Sequence, residues 1–102
     1  MSVHFINGQW LPGQGPVFDV INPANGETVW SGAAAVAADV DSACQAARAG
    51  FRFWSRTPLQ ARIAVCQRFR DLLKENAEQL AALIALEVGK PLWEARTEVA
   101  SM

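Results

Sequence analysis

Thiols, closely spaced carboxylates and clustered cations are the groups in this sequence that could do chemistry. Cys44 and Cys66 are its two cysteines, and His4 is its single histidine. A reactive cysteine needs a lowered pKa, supplied by a helix N-terminus or an adjacent base. Cys44 falls mid-stripe among alanines on a predicted helix, while His4 lies far along the chain on a predicted strand. Cys66 falls on a core face beside Ile63 and Phe69, so both thiols read as small buried apolar residues. Two cysteines 22 residues apart with one histidine match neither zinc-ligand spacing nor a disulfide framework. Glu94 and Glu98 stand one helical turn apart and could be paired carboxylates; a shared wet helix face is the plainer reading. Arg48, Arg52, Arg56, Arg62, Arg68 and Arg70 could form an anion patch. Balanced by Asp71, Glu75 and Glu78, they read instead as a solvated helix face. Gly13-Gln14-Gly15 runs into Pro16 and a strand, and Gly89-Lys90 lacks the upstream glycine, so neither reads as a phosphate loop. The residues by themselves assign no catalytic group and no cofactor-binding group.

The elements that must position these groups change period near residue 32. Val3 to Ile6, Asn7-Gly8 and Gln9-Trp10-Leu11 read as a hairpin, because Asn-Gly tolerates the positive φ of a type I′ turn. Pro12, Gly13 and Gly15 break the chain. Val17 to Ile21, the turn Asn22-Pro23-Ala24-Asn25-Gly26 and Glu27 to Trp30 read as a second hairpin. The Ala-rich stretch from Ala33 to Ala38 reads as a linker or helix start. Val36, Val40, Ala43, Cys44, Ala47 and Phe51 then form one helical stripe. A second helix is expected from Thr57-Pro58-Leu59-Gln60, with Thr57 capping and Gln60 completing the box. Its inward face would carry Leu59, Ile63, Cys66, Phe69, Leu72 and Leu73. Asn76 is expected to cap a third helix with Gln79 at the box position, and Leu80, Leu83, Ile84 and Val88 inward. Gly89 should stop that helix, and Pro91 should start a fourth at Leu92. The expected organisation is therefore an α+β segment, hairpins over 1–32 and three to four amphipathic helices over 33–102.

Composition narrows the function classes. The 102 residues are 51% hydrophobic and 19% charged, with a net charge of -1, which excludes a disordered tail and a basic nucleic-acid module. No apolar run approaches the roughly 20 residues of a membrane span. The Met1-Ser2-Val3-His4 start has neither the basic nor the apolar region of a secretory signal, so the expected location is cytoplasmic. The fourth helical pattern is still running at Met102, so the chain is expected to be a piece of a longer protein. As a piece it should expose its apolar stripes and behave as an aggregating or molten chain.

Five segments in order resemble the start of the aldehyde dehydrogenase superfamily. They are Ile6-Asn7-Gly8-Gln9-Trp10; Val20-Ile21-Asn22-Pro23-Ala24-Asn25-Gly26-Glu27; Val40-Asp41-Ser42-Ala43 leading to Ala46-Ala47-Arg48-Ala49-Gly50-Phe51 and Trp54; Arg62 with Phe69 and Leu72-Leu73; and Glu87-Val88-Gly89-Lys90-Pro91. Two stretches, Gly8-Gln9-Trp10-Leu11 with Gly13-Gln14-Gly15, and Gly89 to Ala95 with Thr97-Glu98-Val99 and Met102, are similar to the branch acting on N-succinylglutamate 5-semialdehyde in arginine catabolism. The resemblance implies a larger α/β fold with a Rossmann-like cofactor domain, of which residues 1–102 would be the N-terminal part, with the catalytic domain absent. It implies NAD as cofactor, a small-molecule aldehyde as substrate, no nucleic-acid or membrane partner, and a homo-oligomer when complete.

In that family a cysteine thiolate attacks the aldehyde, hydride passes to the nicotinamide, and a glutamate-activated water releases the acid. Those residues and the dinucleotide loop would lie beyond Met102, and neither Cys44 nor Cys66 falls at the catalytic motif. The resemblance carries one further expectation onto this sequence: a monovalent cation on the backbone oxygens of Val20 and Ile21 and the side chain of Glu87. Two other functions remain open from the sequence: a standalone α+β protein-binding module, and a dehydrogenase for another aldehyde such as succinate semialdehyde or betaine aldehyde.

Overall fold

The computed structural model describes residues 3–102, which fold as two β-hairpins followed by four helices. β1 (His4–Ile6) and β2 (Gln9–Leu11) pair antiparallel, with His4 opposite Leu11, Phe5 opposite Trp10 and Ile6 opposite Gln9. Asn7 (φ 51°) and Gly8 (φ 76°) both take the positive φ that a two-residue type I′ turn demands, as their sequence implied. The Phe5 and Trp10 rings meet across the strands at 5.2 Å and 52°, a tilted aromatic pair. β3 (Val17–Ile21) pairs with β4 (Thr28–Ala33) in the second hairpin. β4 is longer than expected and takes in Ala33, so α1 (Ala37–Trp54) starts later than the alanine run suggested. The reason is local. The Ala34 N–H donates to the Pro16 carbonyl (2.9 Å) and its own carbonyl accepts from Gly15 N–H (2.8 Å), which prolongs the extended backbone past Ala33.

Compact packing divides the chain into two units. One comprises the residues up to Asp19 and Trp30–Thr57; the other comprises Val20–Val29 and Pro58–Met102. In the first unit β1 lies against α1, and Phe18 meets Trp30 at 5.5 Å. The second unit holds α2 (Leu59–Glu75), α3 (Ala77–Val88) and α4 (Leu92–Ser101). Its buried centre is Ala81, Ala95 and Val99, flanked by Ala77, Leu80, Ile84 and Ala85. Small side chains at 81 and 95, both 0% exposed, let α3 and α4 approach closely. Arg96 clamps the same pair, reaching Glu78 with Nε (3.0 Å) and Nη2 (2.9 Å) in a forked contact.

Two caps differ from expectation. Thr57 does not open α2: its hydroxyl donates back to the Phe53 carbonyl (3.0 Å), closing the end of α1, and Pro58 stands at the α2 N-cap without a side-chain cap. Asn76 does not cap α3 either. Its Nδ2 donates to the Leu72 carbonyl (2.8 Å), so it finishes α2 while its backbone turns into α3. In both places the side chain stands between two helices and serves an unsatisfied carbonyl of the ending one. Gly89 does stop α3, in the left-handed conformation (φ 75°, ψ 16°) that glycine adopts at least cost.

Candidate functional site

The groups singled out for chemistry are distributed differently from their expected places. Cys44 and Cys66 are exposed rather than buried, because the helix faces that carry them are uncovered in this chain. On α2, Leu59 (59% exposed) and Phe69 (62%) stand open beside Cys66. His4 is not remote from Cys44. Both line a groove of about 520 Å³ in the first unit, with Phe5, Asp39, Val40 and Ala47 among its walls. Sequence separation hid this, since β1 returns onto the first turns of α1. The His4 Nε2 is shut off from solvent with no hydrogen-bond partner among the described residues. Asp39 also lines this groove, and its oxygens accept from backbone N–H groups and the Gln14 amide rather than from Cys44.

Asp39 is the residue that reading the sequence missed. It is 8% exposed, and its Oδ2 accepts from the Val36 N–H at 2.9 Å, tying the first turn of α1 to the residue before it. Gln14 reaches it from the preceding loop, through Nε2 to Oδ1 (2.7 Å) and through its N–H to Oδ2 (3.3 Å). The Val36 N–H foremost holds the Asp39 carboxyl below the usual carboxylate range, against opposing burial and with Gln14 and His4 adding to it. The signal was available: an acid three residues after the helix-entry residue is half of a capping box. Val36 has no side-chain oxygen for the other half, so the pattern passed unnoticed.

Gly13 and Gly15 have a structural use. A Cβ on Gly13 would collide with the carbonyl oxygens of Ala33 and Ala34, and one on Gly15 would lie 2.8 Å from the Ala34 oxygen. Backbone carbonyl oxygens therefore pack directly against this loop, on the side its glycines leave without a side chain.

In the second unit, the hairpin tip and the helix ends form the neighbourhood of the expected cation ligands. Asn22, 9% exposed, accepts from the Ala24 N–H through Oδ1 (2.9 Å), and its backbone bonds Glu27 and Gly26 at 2.8 Å each. That Asx turn fixes Pro23, whose Cγ would lie 2.6 Å from a Cβ on Gly89. Ile21 and Glu87 each stand two residues before this contact; Val20 is half-buried, and Ile21 and Glu87 are exposed. Beyond it, Lys90 faces Glu94 (4.0 Å) and bonds Glu98, so these two carboxylates share one cation instead of forming an acid–base pair. The bond to Glu98 foremost raises the Lys90 pKa, burial opposing and the charges of both carboxylates adding to it. Of the arginine series, Arg68 pairs with Glu75 (3.2 Å) and Arg70 with Asp71 (2.9 Å) on exposed surface, as the solvated-face reading required. Glu78 instead pairs with Arg96, which lowers its pKa. Arg62 departs from the series: it is half-buried, and its Nε finds no acceptor among the described residues.

The sequence model of the aldehyde dehydrogenase family matches residues 10–102. This chain belongs to the aldehyde dehydrogenase family. Over all 102 residues it is 55% identical to an N-succinylglutamate 5-semialdehyde dehydrogenase of Burkholderia mallei and 51% identical to one of Ectopseudomonas mendocina. It spans about a fifth of the length of these relatives, 21% in each case. Among solved structures, an NAD-dependent benzaldehyde dehydrogenase from Corynebacterium glutamicum superposes with a TM-score of 0.91 at 32% identity, covering 95% of this chain and 21% of that one. A succinate-semialdehyde dehydrogenase from Burkholderia pseudomallei superposes with a TM-score of 0.89 at 34% identity, over 94% of this chain and 20% of that one. The two hairpins and four helices are thus a segment of the α/β aldehyde dehydrogenase fold. Among the described residues, no helix is long and apolar enough to cross a membrane.

Proposed function

We propose that the chain is the N-terminal part of the cofactor-binding domain of an NAD-dependent dehydrogenase that oxidises N-succinylglutamate 5-semialdehyde to N-succinylglutamate in arginine catabolism. One observation carries the substrate: 55% and 51% identity to relatives bearing that name, against 32% and 34% to the benzaldehyde and succinate-semialdehyde enzymes. The complete enzyme acts on this small aldehyde in the cytoplasm as a homo-oligomer. Its thiol nucleophile, general base and dinucleotide loop belong to the four-fifths of the protein outside this segment. The Gly13–Gly15 loop, packed against carbonyl oxygens, supports that assignment. The segment alone is inactive.

The role of these residues is then scaffolding with one ligand site. The Val20 and Ile21 carbonyls and the Glu87 carboxylate hold a monovalent cation, a hard ion suited to oxygen donors. The Pro23–Gly89 contact supports it, because it joins the two chain segments that would supply the ligands. Melting the complete enzyme in NaCl, KCl and choline chloride at equal ionic strength tests this. A rise in Tm specific to Na⁺ or K⁺ and lost in Glu87→Gln is expected; equal melting in all three salts removes the site.

The substrate is tested by following NADH formation by the complete enzyme with N-succinylglutamate 5-semialdehyde, succinate semialdehyde and betaine aldehyde. The highest kcat/KM is expected on the first. A preference for either of the others would replace the substrate while leaving the family unchanged.

A further inference from the structure

We propose that Asp39 is a clasp that makes the Gly13–Gly15 loop and the first turn of α1 open and close as one unit. The loop is held on two sides. On one, the Gly15 N–H donates to the Ala34 carbonyl (2.8 Å), and the Ala34 N–H returns a bond to Pro16 (2.9 Å). On the other, Gln14 delivers its N–H and its side-chain amide to the two oxygens of Asp39, at 3.3 Å and 2.7 Å. The same carboxylate accepts the Val36 N–H at 2.9 Å. A single buried acceptor therefore joins a loop before β3 to a helix that starts after β4, across 25 residues of sequence.

Each half depends on the other. Gly13 lies too close to the Ala33 and Ala34 oxygens to carry a Cβ, so the loop is seated directly against that backbone. If Gln14 leaves, Asp39 loses two of its three donors. If the helix turn frays, Asp39 moves with it and Gln14 loses both acceptors. Charge-assisted bonds shared in this way are cooperative, and local opening follows such units.

Amide hydrogen exchange on the complete protein at neutral pH tests the coupling, comparing wild type with Asp39→Ala and Gln14→Ala. Faster exchange at the Gln14 and Val36 amides in Asp39→Ala reports only the bonds removed. The informative amides are Gly15 and Ala34, which never touch Asp39. They are expected to exchange about tenfold faster in Asp39→Ala, with α3 and α4 amides unchanged as the control. Gly15 and Ala34 staying within about twofold of wild type would make Asp39 a helix cap and nothing more. Should Asp39→Ala accelerate α3 and α4 as well, Gln14→Ala decides, since it removes the shorter of the two Gln14 bonds, keeps the backbone N–H and leaves the helix turn intact. Faster Val36 and Ala34 exchange in that variant supports the clasp; unchanged exchange at both overturns it.

Discussion

The α3–α4 pair and the apolar faces of α1 and α2 meet opposite fates, although the amphipathic pattern is the clearer on α1 and α2. α3 and α4 bury Ala81 and Ala95 completely and fix their crossing with the Arg96–Glu78 fork. α2 is longer, at 17 residues, but none of them is buried, and Phe69 and Leu59 stand in the open. On α1 the one buried residue is Asp39, while Val40 and Phe51 of the apolar stripe are exposed. Periodicity states which face seeks burial; it does not state whether the covering surface is in the same stretch of chain. A family segment that spans about a fifth of its relatives shows both situations side by side.

The comparison makes its sharpest prediction at Phe69. Phe69→Ala should cost about 3 kcal/mol or more in the complete enzyme, where its face is expected to be covered. In the 102-residue chain the same change should leave the helix content unchanged, because the ring is already exposed. Thermal melts of the complete enzyme and circular dichroism of the 102-residue chain check this, and a complete enzyme unaffected by the change would erase the distinction. Next in size is overpacking of the closed interface. Ala81→Leu has no space to enter between α3 and α4 and should destabilise the complete enzyme by about 1–3 kcal/mol. Denaturant titration measures that loss.

Gly89→Ala should follow, at about 1 kcal/mol or somewhat more, from its positive φ and the collision with Pro23. Its effect should appear as faster exchange of the Asn22–Gly26 turn amides. The smallest effect expected is with acid. The folded carboxyl of Asp39 titrates below its unfolded value, so its contribution is present above the unfolded pKa and is lost as pH falls through the folded one. Melting temperature against pH should therefore decline less steeply at the acid end in Asp39→Asn than in wild type. The isolated chain should also bind the dye ANS through its open faces; a sharp two-state melt without dye binding would count against the uncovered faces.

Local chemistry is readable where neighbouring residues form a complete short-range motif. Asn7-Gly8 specified its turn, Asn22 to Gly26 the second one, and Gly89-Lys90-Pro91 the end of one helix and the start of the next. Thr57 and Asn76 were misread because each is placed where two helices compete for one side chain, and the ending helix took it. The candidate cation ligands came from family likeness and not from any spacing in the chain. Asp39 is hidden twice over: Val36 lacks the side-chain oxygen that completes a capping box, and the other two donors belong to a residue 25 positions earlier.

The sequence by itself determined the order of hairpins and helices and the family, since turn chemistry and periodicity act over short spans and five motifs stand in register. Only the tertiary structure decided what each side chain meets. It placed His4 and Cys44 on one groove, left both thiols exposed, turned the Gly13–Gly15 loop into a backbone contact and closed Asp39 around Gln14. The physical reason is the same in each case. Burial and hydrogen-bond satisfaction are properties of surfaces brought together by the fold, and no residue's type or local spacing contains its distant partner.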